Sequence, residues 1–118
     1  MKNPVQPVTN LAINGINYEL LFELDAVALA EDLVDRPLIT GLRQKDINTP
    51  TFSLMRAMLF ACIHAKQPDV TFELVKTFVT RKNWREIWVA VLNAWTAGMG
   101  EQDPEEEAAE ADPKADQS

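Results

Sequence analysis

Residues with catalytic chemistry are scarce in this chain. Of its 118 residues, one is cysteine, one histidine, one tyrosine and four are glycine. A lone Cys62 excludes an internal disulfide, and with His64 as the single imidazole no zinc set of Cys and His can be assembled. The two stand two residues apart in an apolar stretch. On a helix that is about 200° around the axis, so they cannot face each other as nucleophile and base. Cys62 therefore reads as a small buried hydrophobe and His64 as an ordinary helix residue. The glycines are scattered and give no phosphate-cradling loop. No catalytic, cofactor-binding or metal-binding residue emerges, no cofactor is implied, and the chain reads as a non-enzyme.

Long apolar runs are missing as well. Nothing approaches the ~18–20 consecutive apolar residues that cross a bilayer, and residues 1–20 lack the basic stretch and apolar core of a secretory leader. The expectation is a cytosolic protein with no membrane partner. Basic stripes are equally absent. Arg81, Lys82 and Arg85 form one small cluster that reads as a solvated loop and helix start, so no nucleic-acid partner is expected.

What the chain does have is a break in composition after Gly100. Residues 101–118 hold eight acids, one base (Lys114) and no aromatic or branched aliphatic residue. That segment carries the whole net charge of −7, leaving ten acids against ten bases in the first hundred residues. The reading is a flexible loose arm at 1–10, one folded domain at 11–100, and a disordered acidic tail at 101–118. A neutral body with three Trp and five Phe must find partners by shape and apolar surface.

Within the domain, Asn14-Gly15 between short apolar runs predicts a β-hairpin with a type I′ turn. Alternation places Ile16, Tyr18, Leu20 and Phe22 on one face, with Asn17, Glu19 and Leu21 opposite. Such a ribbon is marginal alone, so it must lie on helices or pair with a neighbouring copy. Asp25 can cap a first helix starting at Ala26, with Val27, Leu29 or Ala30, Leu33 and Val34 inward and Pro37 as its stop. Glu31, Asp32 and Asp35 look like its solvated face. Leu38–Leu42 suggests a helical turn before the polar stretch Arg43–Asn48. Thr49 or Thr51 precedes an almost wholly apolar helix, Phe52–Ala65, with Pro50 suited to its first turn; this should be the central element. Thr71 caps a helix over Phe72–Thr80, with Val70 and Val75 at hydrophobic-staple positions. Asn83 and Glu86 match a capping box, and Trp84, Ile87, Trp88, Val91, Leu92 and Trp95 form an amphipathic stripe ended by Gly98 or Gly100. The fold class is α+β, mostly α: an N-terminal hairpin followed by about four packed helices.

Two features could bind protein. One is the Trp84, Trp88, Trp95 stripe, since Trp is enriched at interaction hot spots, although three at this spacing also describe a core. The other is the ribbon carrying Tyr18 and Phe22, whose free edge could accept a strand or could be closed by its own helices.

The order of these parts resembles the tail assembly chaperones of long-tailed bacteriophages and prophages. The resemblance rests on the turn at Ile13-Asn14-Gly15 leading to Tyr18-Glu19-Leu20-Leu21-Phe22. It continues through Asp25-Ala26 opening a helix with Glu31, the apolar helix Leu54–Ala65, and Thr71-Phe72-Glu73-Leu74-Val75. It ends with Ile87-Trp88-Val89-Ala90-Val91-Leu92-Asn93-Ala94-Trp95 and a charged tail. It spans about Leu11 to Gly100. Relatives often carry a glycine soon after the first helix's glutamate, where this chain has Leu33-Val34-Asp35-Arg36-Pro37.

The resemblance implies a non-enzymatic chaperone made in the bacterial host cytoplasm and absent from the mature virion. It implies binding to the long tape measure protein before tail tube subunits polymerise around it, with a homo-oligomer compatible with many copies per client. In the family, a longer frameshifted form recruits tail tube protein, and this sequence would correspond to the short form. Two other classes stand beside it: a small head–tail joining protein that stays in the particle, and a regulatory protein-binding module.

Overall fold

The structure is a computed structural model that describes residues 8–100. The acidic tail and residues 1–7 of the arm lie outside the described residues. Thr9 and Asn10, expected in the arm, instead begin the first strand.

Strands β1 (Thr9–Ile13) and β2 (Ile16–Leu20) pair antiparallel with Ile13 opposite Ile16, joined by Asn14 (φ 54°) and Gly15 (φ 81°). Positive φ at both turn positions is the type I′ geometry that Asn-Gly favours. Leu11, Ile13, Tyr18 and Leu20 face inward, while Asn10, Ala12, Asn17 and Glu19 face solvent. Two assignments change. Ile16 shares the inner face by register but is 55% exposed beside the turn, while its partner Ile13 is buried. Leu21 is buried, because the chain leaves the pleat after Leu20 and its N–H donates to the Cys62 carbonyl at 2.9 Å.

Helix α1 (Leu24–Val34) starts two residues before the expected point. Glu23 stands at the cap position, and Asp25 lies in the first turn, where its charge suits the helix dipole. It ends at Asp35, left-handed at φ 58°, ahead of Pro37 as expected. Glu31 is no solvated ornament: its carboxylate accepts the N–H groups of Leu38 (2.7 Å) and Ile39 (3.2 Å). Those bonds hold its pKa below the ordinary carboxylate value and seat Leu38, fully buried, in the core. The turn predicted at Leu38–Leu42 is present, closed by Leu42 N–H to Leu38 O at 3.0 Å.

The polar stretch then forms a short helix, α2 (Gln44–Asn48). Asp46 stabilises its start by accepting from Arg43 N–H at 2.9 Å and pairing with Arg36 at 3.0 Å, which also lowers the Asp46 pKa.

Helix α3 (Phe52–His64) is the hub. Eight of its residues are buried, and it packs on α1, β2, α4 (Phe72–Lys76) and α5 (Trp84–Trp95). Thr51 caps it by accepting Leu54 N–H at 3.0 Å, so Pro50 sits outside the helix and not in its first turn.

Thr71 caps α4 as expected, but the helix stops at Lys76 and not Thr80. The Thr77 hydroxyl takes the Leu74 carbonyl at 2.6 Å, after which Phe78 and Val79 turn into the core. At α5 no capping box forms. Asn83 is committed elsewhere, its side chain accepting Thr80 N–H (2.7 Å) and donating to Phe78 O (2.9 Å). A π turn, Thr96–Gly100, closes the domain. The architecture is thus an antiparallel hairpin followed by five helices, and among the described residues no helix is long and apolar enough to cross a membrane.

Candidate protein-binding surface

The five aromatics selected from sequence are largely structural. Trp88 is 4% exposed, and its indole N–H donates to the Ile47 carbonyl at 2.8 Å, tying α5 to α2. The Tyr18 ring packs on Phe78 at 5.2 Å, and Phe22, 1% exposed, meets the edge of Trp95 at 5.2 Å and 73°. These contacts bury the faces that a partner would need. Trp84 and Trp95 are half-buried at the stripe's two ends, and the Arg85 guanidinium covers the Trp84 ring at 5.0 Å. Phe22 and Trp95 come together as a ring pair inside the fold, so the stripe is a core seam.

The reactive side chains are separated as the helix geometry requires. Cys62 points into the core, its thiol donating to Leu59 O at 3.4 Å, and burial pushes its pKa up. His64 lies at the surface end of α3 against Phe60, ring centroids 5.4 Å apart, with Nδ1 lacking a hydrogen-bond partner. No polar or charged residue is fully buried among the described residues, and no group of three or more His, Cys, Asp or Glu is placed to hold a metal.

Among the described residues, one surface feature with shape is the seam between α1 and α3. These helices run antiparallel, since the C-terminal end of α1 meets the N-terminal end of α3 in one hollow and the opposite ends meet in another. The first, about 460 Å³, is lined by Leu33, Val34, Arg36, Asp46, Thr51, Ser53 and Leu54. The second, about 350 Å³, is lined by Glu23, Asp25, Ala26, Leu29, Ala61, His64, Ala65 and Pro68. Ala26, Leu29 and Leu33 share one face of α1, and Leu54, Ala61 and Ala65 share one face of α3, so both hollows open on the same side of the seam. The hollows mark the two ends of the shallow groove between the packed helices, roughly two to three turns of α3 apart. Both hollows mix apolar or small side chains with polar ones, Glu23, Asp25 and His64 in one and the Arg36–Asp46 pair with Thr51 and Ser53 in the other.

Sequence reading missed this groove by following the largest side chains. The signal was in the small ones: Ala61 and Ala65 lie four residues apart on α3 and line one hollow together with Ala26 of α1. Other exposed apolar residues, such as Ile39, Leu74 and Val89, sit singly on different elements, as is normal for a soluble surface.

No protein-family model, curated protein or solved structure matches this chain.

Proposed function

We propose that this chain is a non-enzymatic assembly chaperone of the phage-tail type. It acts in the bacterial host cytoplasm on a long helical client, the tape measure protein, and is left out of the mature particle. The observation that carries this reading is the α1–α3 groove, with a hollow of mixed apolar and polar lining at each end, on a body without net charge. An amphipathic helix lying along the seam presents residues at i and i+7, about 10 Å apart, to such a pair of hollows. Further support comes from Asp35, whose left-handed backbone is the conformation glycine takes most easily. It lies in the stretch where tail assembly chaperones often carry a glycine.

Each anchor side chain seated in the groove contributes roughly 1.5–3 kcal/mol of burial. Against an association cost of about 4–15 kcal/mol, two or three anchors give a weak single contact. Useful protection therefore comes from many copies lined up on one client, in effect a multivalent coat. The acidic segment 101–118 keeps neighbouring coated clients apart by charge.

Co-expression with the client tests this. The full chain should keep the client soluble, and Leu33→Asp, at a position already 39% exposed, should abolish that while leaving the melting temperature nearly unchanged. Val89→Asp, 57% exposed on another helix, should have no effect. Equal loss from both variants, or retention by both, sinks the groove assignment. Deleting 101–118 should lower solubility and leave client capture intact. The chain detected in purified particles would favour a head–tail joining role instead.

A further inference from the structure

We propose that the basic turn entering α5, built from Arg81, Lys82 and Arg85, is a docking site for the chain's own acidic segment 101–118, which covers it in the free protein.

The positive side of the pairing is concentrated and unspent. All three side chains are exposed, and among the described residues none is paired with a carboxylate; the ion pairs present are Arg36–Asp46 and Lys76–Glu73. Glu86 is the single acid on the same turn. Arg85 is already positioned, its guanidinium carbon 5.0 Å from the centre of the Trp84 ring, so holding it for an incoming carboxylate costs less ordering. The turn beneath is pinned through Asn83 to Thr80 and Phe78. The three cations also stand at the positive end of the α5 dipole, which leaves their field uncompensated by the helix.

The negative side is attached to the same helix. Eight acids follow Gly100 within eighteen residues, against one lysine. From Arg85 to Gly100 the α5 rod and π turn measure roughly 20 Å. A random-coil chain of eighteen residues has a root-mean-square reach of about 23 Å and a fully extended limit near 60 Å. The acids therefore spread over the same distance that separates their anchor from the basic turn, at an effective concentration in the millimolar range. Of the basic side chains, these three lie closest together in sequence, with only the Lys82–Arg85 interval between them.

The occupant is tested with the full chain carrying a nitroxide at Asp112→Cys and ¹⁵N-labelled for NMR. Native Cys62 is fully buried and does not compete for the label. At about 20 mM salt the amides from Arg81 to Ile87 should lose intensity selectively, and they should recover at about 0.5 M salt, where the screening length falls to a few ångströms. The variant Arg81→Glu/Lys82→Glu/Arg85→Glu should abolish the loss with its remaining spectrum unchanged. Broadening centred elsewhere, no broadening, or broadening that survives charge reversal overturns the proposal. So does equal broadening when spin-labelled unenriched chain is mixed with unlabelled ¹⁵N chain, which would assign the contact to a second copy. None of these outcomes bears on the client groove, which lies on α1 and α3.

Discussion

Gly98→Ala places a methyl group where the backbone leaves no room. A Cβ placed at Gly98 runs into the Phe22 carbonyl oxygen and stands 3.0 Å from its carbon and 3.2 Å from the Phe22 Cβ. The obstructing atoms are backbone and belong to a residue only 1% exposed, which is locked against Trp95. They cannot swing aside as the end of a lysine would. The π turn must instead lift off the hairpin's exit, opening the Phe22–Trp95 contact. Overpacking of this kind costs about 1–3 kcal/mol. Alanine's lower unfolded-state entropy returns about 0.4–1 kcal/mol, so the net destabilisation should be about 1–2 kcal/mol. For a domain of this size that lowers the melting temperature by roughly 5–15 °C. Thermal and urea unfolding followed by circular dichroism measure it, with the denaturant slope unchanged. If Gly98→Ala melts at or above the parent temperature, helix propensity outweighs contact and the close approach of the π turn to Phe22 is wrong.

Gln67→Ala removes three hydrogen bonds, its amide bridging Glu19 N–H (2.8 Å), Glu19 O (3.0 Å) and Ile63 O (2.7 Å). At about 0.5–1.5 kcal/mol each, discounted for exposure at Glu19, the loss should be about 1–3 kcal/mol in urea unfolding. Gln67→Glu should be worse, because its carboxylate would face two carbonyl oxygens; equal stability of both variants to the parent contradicts the bridge. Glu31 has a lowered pKa in the folded state, so its contribution is complete above the unfolded glutamate value of about 4.3 and fades as pH falls through the folded value. Glu31→Gln should therefore flatten the decline of urea midpoint between about pH 5 and 3, leaving the part due to Asp46, whose pKa is lowered in the same sense. Identical acid slopes for parent and variant would show that the carboxylate does not hold the Leu38 turn.

Local chemistry was readable from the chain wherever the partner lies within a few residues. Asn14-Gly15 dictates its turn, Thr51 and Thr71 each reach the N–H three residues on, and the apolar wrap of Phe52–His64 marks the hub. The misreadings arise where a side chain prefers a distant or competing partner. Asn83 has the sequence of a cap, yet the Thr80 and Phe78 backbone claims its amide. Glu31 looks solvent-facing until the chain doubles back after Pro37 and presents two N–H groups. Helix α2 has only Ile47 to bury and takes its stability from Asp46 and the Trp88 indole, which arrives from forty-one residues away. The groove was hidden for a related reason, since a trough is made by side chains that are short, and alanines carry no chemical signature of their own.

The Gln67 amide imitates a peptide unit, offering β2 the N–H and C=O that a third strand would supply. That rung comes from forty-eight residues further along the chain. On a ribosome adding about 5–20 residues per second, the hairpin emerges roughly 2–10 s before the residue that seals its outer margin. Through most of that interval the ribbon has its Asn14-Gly15 turn but neither its seal nor the α3 surface it packs on, and α5, which packs on β1, follows later still. Until then β2 presents an open edge, and a slower passage to Gln67 lengthens the time that edge can meet another chain.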